Sequence, residues 1–550
     1  MERNSIKRQH SQNDNDNDNK VNTDKQTSIA SLSHPISPPK KKRARERVRL
    51  SSPFSLTWIK DLPKGDNVDA VSLKDLVGDP LIAELWDFNY LHDVDFLMKH
   101  LDADTRALTK VHVVHGFWKR EDPNKLSLEE QAAQYENVTL HTAHMPEMFG
   151  THHSKMLVLL RHDDTAQIVI HTANMIAKDW TNMTNGVWKS PLLPKLLQPR
   201  QHAAETDMAI GRGSRFKMDL LNYLGAYNTR RPVCSPLVRE LEKFDFSIIR
   251  GALVASVPGR HDAEREPGAS CWGWQALREA LKNVPVQSGE SDIVVQISSI
   301  ATLGANDTWL QRTLFSSLSV SASSSGRLAP SSSSSLASAS TESQPGYKIV
   351  FPTADEIRRS LDGYASGGSI HMKIQSAAQT KQLQYLRPFF YHWANDSEHG
   401  ETIPISQEKI AASKTKKDAG RKRAAPHIKT YIRYGEKSID WALLTSANIS
   451  KQAWGEAMNK AGEVRVASWE IGVLVWPELL TGDDATKMVG TFKTDLPKEE
   501  DIPDGEGSPI VGLRIPYSMP LQKYKSSEVP WVATMSHSEP DWMGQAWPGY

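Results

Sequence analysis

The sequence predicts a mixed α/β protein built from two like halves, and three observations predict it. Short β-rich runs ("KVHVVHGF", "DIVVQISSI", "EIGVLVW") alternate with helical stretches such as "WGWQALREALKNV". A constellation of residues near position 153 recurs near position 427 at one fixed offset of 274. Two long polar tracts interrupt this pattern, as loops on a tolerant scaffold do.

Taken in chain order, residues 1–55 read as a disordered tail. "NDNDNDNK" (13–20) has no apolar content to offset ordering entropy. From Lys40 to Arg49, seven of ten residues are basic and only Glu46 is acidic, a pattern expected of a nuclear import signal that can also hold phosphates. Ordered sequence begins near "SPFSLTWIKDLP". The first half spans 56–255 and the second 256–550. The second carries a serine-rich insertion at about 316–346 and a polar segment at about 395–425, where "KTKKDAGRKR" sets six basic residues against Asp418.

Composition narrows the function. The formal net charge is only +1, so affinity for a polyanion must come from local clustering. Two cysteines, Cys234 and Cys271, exclude a disulfide framework and a cysteine-rich zinc site and suit a reducing compartment. No apolar run approaches a membrane span, and the charged start is unlike a signal peptide. The expectation is a soluble intracellular protein, located in the nucleus.

His-x-Lys occurs at His153/Lys155, His371/Lys373 and His427/Lys429. The tripeptide alone carries nothing, since chance supplies about two in a chain of this composition. His153 is followed by Asn174 and Trp180, and His427 by Asn448 and Trp454, at identical spacings. "HTANMIAKDW" lies over "TSANISKQAW" without a gap, whereas His371 finds another histidine, His392, where the asparagine should be. The spacing suits a hairpin. Pairing His153 with Asn174 centres the turn on Asp163-Asp164, and pairing His427 with Asn448 centres it inside "GEKS". Alternation then puts His and Lys on one face, joined by the cross-strand Asn. His152 points the other way and reads as a packed or surface histidine.

Imidazole and ammonium set side by side repel unless an anion lies between them. Two facing sets would surround one anion with Lys155, Lys429, Asn174 and Asn448, an arrangement suited to a phosphoryl group. One neutral imidazole can attack phosphorus while the other, protonated, serves the leaving group. Two histidines without a carboxylate cluster argue against zinc, and neither metal nor cofactor is expected.

These motifs resemble those of the phospholipase D superfamily, whose similar halves each give one motif to a shared site. The superfamily's aspartate, five residues after the lysine, is replaced by Leu160 and Tyr434. That departure, with "FGTHHSKM", "PHIKTYIRY", "LLTSANISKQAWG" and "SWEIGVLVWP", is similar to the tyrosyl-DNA phosphodiesterases. The resemblance implies two phospholipase D-like α-β-α domains related by pseudo-twofold symmetry, with the site at their interface. It implies a DNA repair phosphodiesterase acting on a topoisomerase I tyrosine joined to a DNA 3′-phosphate. His153 would be the nucleophile, and His427 the acid and then the base. Lys155, Lys429, Asn174 and Asn448 would bind phosphate, and Glu470 would orient His153. Asn185 matches the family's glutamine near the acid histidine, one methylene shorter, and is grouped with the substrate-contacting residues. Phe149 matches an aromatic that stacks on a DNA base, and Ser299 and Ser450 match phosphate contacts. The implied partner is a single-stranded, nicked or double-stranded DNA 3′-end carrying a tyrosyl peptide. No membrane is involved, and a monomer is expected. Two rivals stand beside this reading: another phosphodiesterase or nuclease of the superfamily, and a nuclear DNA-binding protein with a dead site. The missing aspartates weigh against the first and the intact motifs against the second.

Overall fold

The continuous apolar run in "KMLVLL" calls for a strand buried on both faces, and the computed structural model places it and "TYIRY" in two sheets. It describes residues 48–197, 208–264, 266, 268–324, 344–394, 402–403, 416–502 and 507–549, all within one compact unit, Arg47–Tyr550. The acidic-polar tail and the basic cluster up to residue 47 lie outside the described residues.

The first sheet has eight strands. Its main members are β1 (Ile82–Phe88), β2 (Lys110–His115), β3 (Val138–Thr142), β4 (Met156–Arg161), β5 (Thr165–His171) and β6 (Gly186–Lys189). The second has ten. Those that matter here are β7 (Ala252–Ser256), β8 (Asp292–Gln296), β9 (Gly346–Val350), β10 (Thr430–Tyr434), β11 (Ile439–Thr445) and β12 (Glu470–Val475). In the first sheet β1 runs parallel to β2 and antiparallel to β4, and β5 joins β4 to β6 in antiparallel ladders. In the second, β8 runs parallel to β9 and antiparallel to β10, and β11 joins β10 to β12 likewise. The strand order around the two motifs therefore repeats.

Period-two patterning decides which face meets which. Met156, Val158 and Leu160 of β4 point into a core shared with Ile432 of β10, Leu444 of β11 and Val473 of β12. Leu157 and Leu159 face a separate cluster with Leu85, Val111 and Val169. Tyr431, Trp441 and Leu443 cover the outer face of the second sheet. The two sheets thus pack inner face to inner face, and both motifs sit at one end of that interface.

Three details differ from the sequence reading. Both hairpins are one residue out of the expected register. Met156 pairs with Ile170 and Thr430 with Leu444, so continuing each ladder sets His153 and His427 opposite Ala173 and Ala447. The ladders end at Lys155–His171 and Lys429–Thr445, and the asparagines reach the site from the loop beyond. β7 falls almost wholly before the expected boundary at residue 256 yet pairs with β12 of the second sheet. Finally, the end of the polar segment, from residue 416, packs into the fold, while 395–401 and 404–415 lie outside the described residues. Arg421 is fully buried, with its guanidinium donating to Thr57 O and Asn67 Oδ1, both at 3.2 Å. Most of the serine-rich tract, 325–343, lies outside the described residues.

Candidate active site

Backbone pairing brings each motif to the opposite sheet. His153 N–H donates to Trp469 O (3.0 Å) and Trp469 N–H to Thr151 O (3.0 Å), so the chain around His153 runs beside the start of β12. His427 and Ile428 both donate to Thr184 O (2.9 Å), setting His427 beside the chain two residues before β6.

The consequence is a reciprocal arrangement. His153 Nδ1 meets Glu470 Oε2 at 2.9 Å, and His427 Nδ1 meets Asn185 Oδ1 at 3.1 Å. Register makes these two partners equivalent. His171 pairs with Val187 and Thr445 with Gly472, which puts Asn185 and Glu470 at the same ladder position of their sheets. Each is steadied by the hydroxyl two residues before the motif asparagine. Thr172 Oγ1 donates to Asn185 Oδ1 (2.8 Å), and Ser446 Oγ donates to Glu470 Oε2 (2.5 Å). Because both Nδ1 atoms face acceptors, they carry the proton and each Nε2 presents its lone pair to the space between the motifs. Asn185, matched to the family's glutamine near the acid histidine and grouped with the substrate-contacting residues, is fully buried and touches the His427 ring.

The sequence reading missed Thr172, Ser446 and Asp179. The hydroxyls were visible in the repeat itself, as the residue before "AN" in "HTANM" and "TSANI". Asp179 had no such signal, since the second half has Ala453 in its place. Its Oδ2 lies 3.2 Å from His427 Nδ1 and accepts from Asn174 N (2.7 Å) and Nδ2 (2.9 Å). A buried carboxylate therefore anchors the first asparagine. Asn448 is held differently, its Oδ1 accepting from Ser298 N (3.1 Å) and Ser299 N (2.9 Å). That leaves its amide N–H groups for a ligand.

Lys155 Nζ donates to His153 O (3.2 Å) and Lys429 Nζ to His427 O, so each ammonium bends back to its own histidine. Both lysines are fully buried. Burial pulls Lys155 down to about 8 and Lys429 well below the usual lysine value, the second also repelled by Lys155. His153 is lowered to about 4 by burial, against the opposing charge of Glu470. His427 is driven well below the ordinary imidazole range by burial and by Lys429 and Lys155. Burial pushes Asp179 up, opposed by the Asn174 N–H and the lysines. Glu470 and Asp179 oppose the burial of both lysines.

The remaining expected residues are arranged around this centre. Phe149 is 85 % exposed with φ of 60°, held out from the surface by the turn before Gly150. The Ser450 hydroxyl caps the helix Lys451–Trp454, accepting from Ala453 N. Ser299 is bridged to His371, which brings the third His-x-Lys to the rim. His152 is buried, with Nδ1 on Asn89 O (2.8 Å) and Nε2 on Tyr227 OH (3.0 Å), a packed histidine as expected.

Comparison with known proteins agrees with this geometry. A family model described as tyrosyl-DNA phosphodiesterase matches residues 53–525. The chain is 29 % identical to a probable tyrosyl-DNA phosphodiesterase of Schizosaccharomyces pombe, covering 93 % of this chain and 98 % of that one. It is 27 % identical to tyrosyl-DNA phosphodiesterase 1 of Arabidopsis thaliana, over 91 % of this chain and 77 % of that one. The crystal structure of the yeast tyrosyl-DNA phosphodiesterase shares the fold, with a TM-score of 0.57 at 19 % identity over 88 % of this chain and 99 % of that one.

Proposed function

The chain belongs to the tyrosyl-DNA phosphodiesterase family, and from that premise we propose how its paired motifs carry out the reaction. It is a DNA repair phosphodiesterase that hydrolyses the bond between a tyrosine and a DNA 3′-phosphate. One observation carries the mechanism: two His/Lys/Asn sets, each with its imidazole Nδ1 fixed from the opposite sheet.

The phosphodiester enters between the lysines. Lys155, Lys429 and the amides of Asn174 and Asn448 hold its non-bridging oxygens as charge develops there. His153 is neutral at physiological pH, and its Nε2 lone pair attacks phosphorus, forming a P–N bond as the P–O bond to tyrosine breaks. The substrate's charge raises the pKa of His427 from its depressed value, so that His427 reaches the transition state protonated and gives its proton to the phenolic oxygen. The tyrosyl peptide departs. His427, now neutral, takes a proton from water while the water oxygen displaces His153 from phosphorus and leaves a DNA 3′-phosphate. Phe149 stacks on a base, and Ser299 and Ser450 lie where the backbone runs on. The enzyme works as a monomer in the nucleus, where the basic segment before Arg49 directs it.

A 3′-phosphotyrosyl oligonucleotide tests this directly. The expected products are free tyrosine and a 3′-phosphate end, formed at the same rate in EDTA. No cleavage, or cleavage abolished by chelation, contradicts the reading.

A further inference from the structure

The residues on either side of His153 are fully buried, and both side chains end on one helix. His152 Nε2 meets Tyr227 OH (3.0 Å), Tyr227 OH meets Tyr223 OH (3.1 Å), and Tyr223 OH meets Ser154 Oγ. Tyr223 lies in the helix Gly213–Ala226, and Tyr227 caps it one turn later. The two tyrosines, themselves buried, thus close a loop of hydrogen bonds around the His153 backbone.

The loop has a single direction. His152 Nδ1 faces Asn89 O (2.8 Å), and a carbonyl only accepts, so Nδ1 carries the proton and Nε2 accepts. Tyr227 then donates to His152 and accepts from Tyr223, which accepts from Ser154. Every proton in the chain is used once.

Two further contacts carry the loop to the other parts of the site. Asn89 Nδ2 donates to Ala173 O (3.3 Å), the residue before Asn174. The Tyr227 ring stacks on Trp469 with centroids 3.8 Å apart, and Tyr223 meets the same indole edge-on at 5.5 Å. Trp469 pairs with the His153 backbone and immediately precedes Glu470. The second half cannot build such a loop. The offset of 274 sets Pro426 opposite His152 and Ile428 opposite Ser154, side chains with no hydrogen-bonding group.

We propose that Tyr223 and Tyr227 are positioning residues for the nucleophile, holding the His153 backbone in fixed relation to Trp469 and Glu470 by closing this loop. This rests on the function proposed above, because it takes His153 as the attacking residue. That residue must form and later break its bond to phosphorus along one path, and a small misplacement there costs rate rather than substrate affinity.

The test isolates the attack step. In His427→Ala the adduct on His153 is followed in a single turnover with a 3′-phosphotyrosyl oligonucleotide, over a range of oligonucleotide concentrations. Adding Tyr227→Phe or Tyr223→Phe is expected to slow adduct formation at saturation about 10- to 100-fold, with the half-saturating concentration unchanged. The control is Tyr517→Phe, which removes a comparable buried bond, Tyr517 OH to Tyr434 OH (2.9 Å), in the core between the sheets. It should lower the melting temperature as the other two do and leave the adduct rate alone. Should one phenylalanine variant fail to fold, the other carries the same comparison, and Ser154→Ala opens the loop at its far end. Adduct rates in the Tyr223 and Tyr227 variants equal to that of the control would overturn the proposal. So would a loss seen only as a higher half-saturating concentration. If His427→Ala with both tyrosines intact forms no adduct on His153, the proposed function itself is rejected and the positioning role falls with it.

Discussion

At Glu470 one carboxylate performs two tasks, fixing the proton of His153 on Nδ1 and opposing the burial that drives this imidazole down to about 4. Glu470→Gln keeps the shape and removes the charge. The expected loss in kcat/KM is on the order of 10²- to 10⁴-fold, as when the carboxylate behind a catalytic histidine is neutralised. The pH profile separates the two tasks. In the proposed mechanism His153 attacks only when neutral, so kcat/KM is expected to fall as pH drops through about 4. Because Glu470 raises that pKa, the Gln variant should move the acid limb to lower pH, and a limb that stays in place contradicts the assigned role. At this scale the sequence was most legible where the duplication repeated a residue, as at His153 and His427. It was least legible at Asp179. That carboxylate has no counterpart in the second half, so only the folded geometry sets it against Asn174 and His427.

At the scale of elements, the hairpins show what spacing could and could not determine. The fixed offset located both β-hairpins, but the assumption of direct His–Asn pairing was one residue out in each. A strand's period of two makes a single step change faces, and the asparagines return to the site only because the ladder stops before them. The turn that delivers His153 is constrained in the same local way. Phe149 adopts φ of 60°, and a Cβ on Gly150 would lie 2.0 Å from Ala467 O. Gly150→Ala must push the chain around His153 away from the start of β12. The expected cost is about 1–3 kcal/mol of stability, with lost activity, because the Ala467–Glu470 strip moves with it. Thermal unfolding and cleavage rate check this, and a variant with unaltered values for both contradicts it.

Across the whole molecule, the two sheets share one core and exchange the residues that orient their histidines, so neither half holds a complete site. The repeat made two motifs visible in the sequence, but the exchange was not, since it depends on which strand of one sheet lies beside which loop of the other. Distant segments are also joined by His392, set between Glu356 (3.2 Å) and Glu528 (3.0 Å). Burial would lower its pKa, but the two carboxylates outweigh burial and raise it to about 9. A raised folded-state pKa stabilises fully below the unfolded value of about 6.5 and ceases to do so as pH rises through about 9. The melting temperature of the unaltered protein should therefore exceed that of Glu528→Gln at pH 6.5, with the gap narrowing by pH 9. A gap that is constant or widens over that interval would count against the clamp. The central claim, that one histidine of the pair becomes covalently attached while the other releases it, is tested by incubating His427→Ala with a 3′-phosphotyrosyl oligonucleotide and mapping any adduct by mass spectrometry. The expected result is a protein–DNA adduct on His153, absent from His153→Ala. An adduct on His427 in the His153 variant, or release of tyrosine by His153→Ala at the unaltered rate, would contradict it.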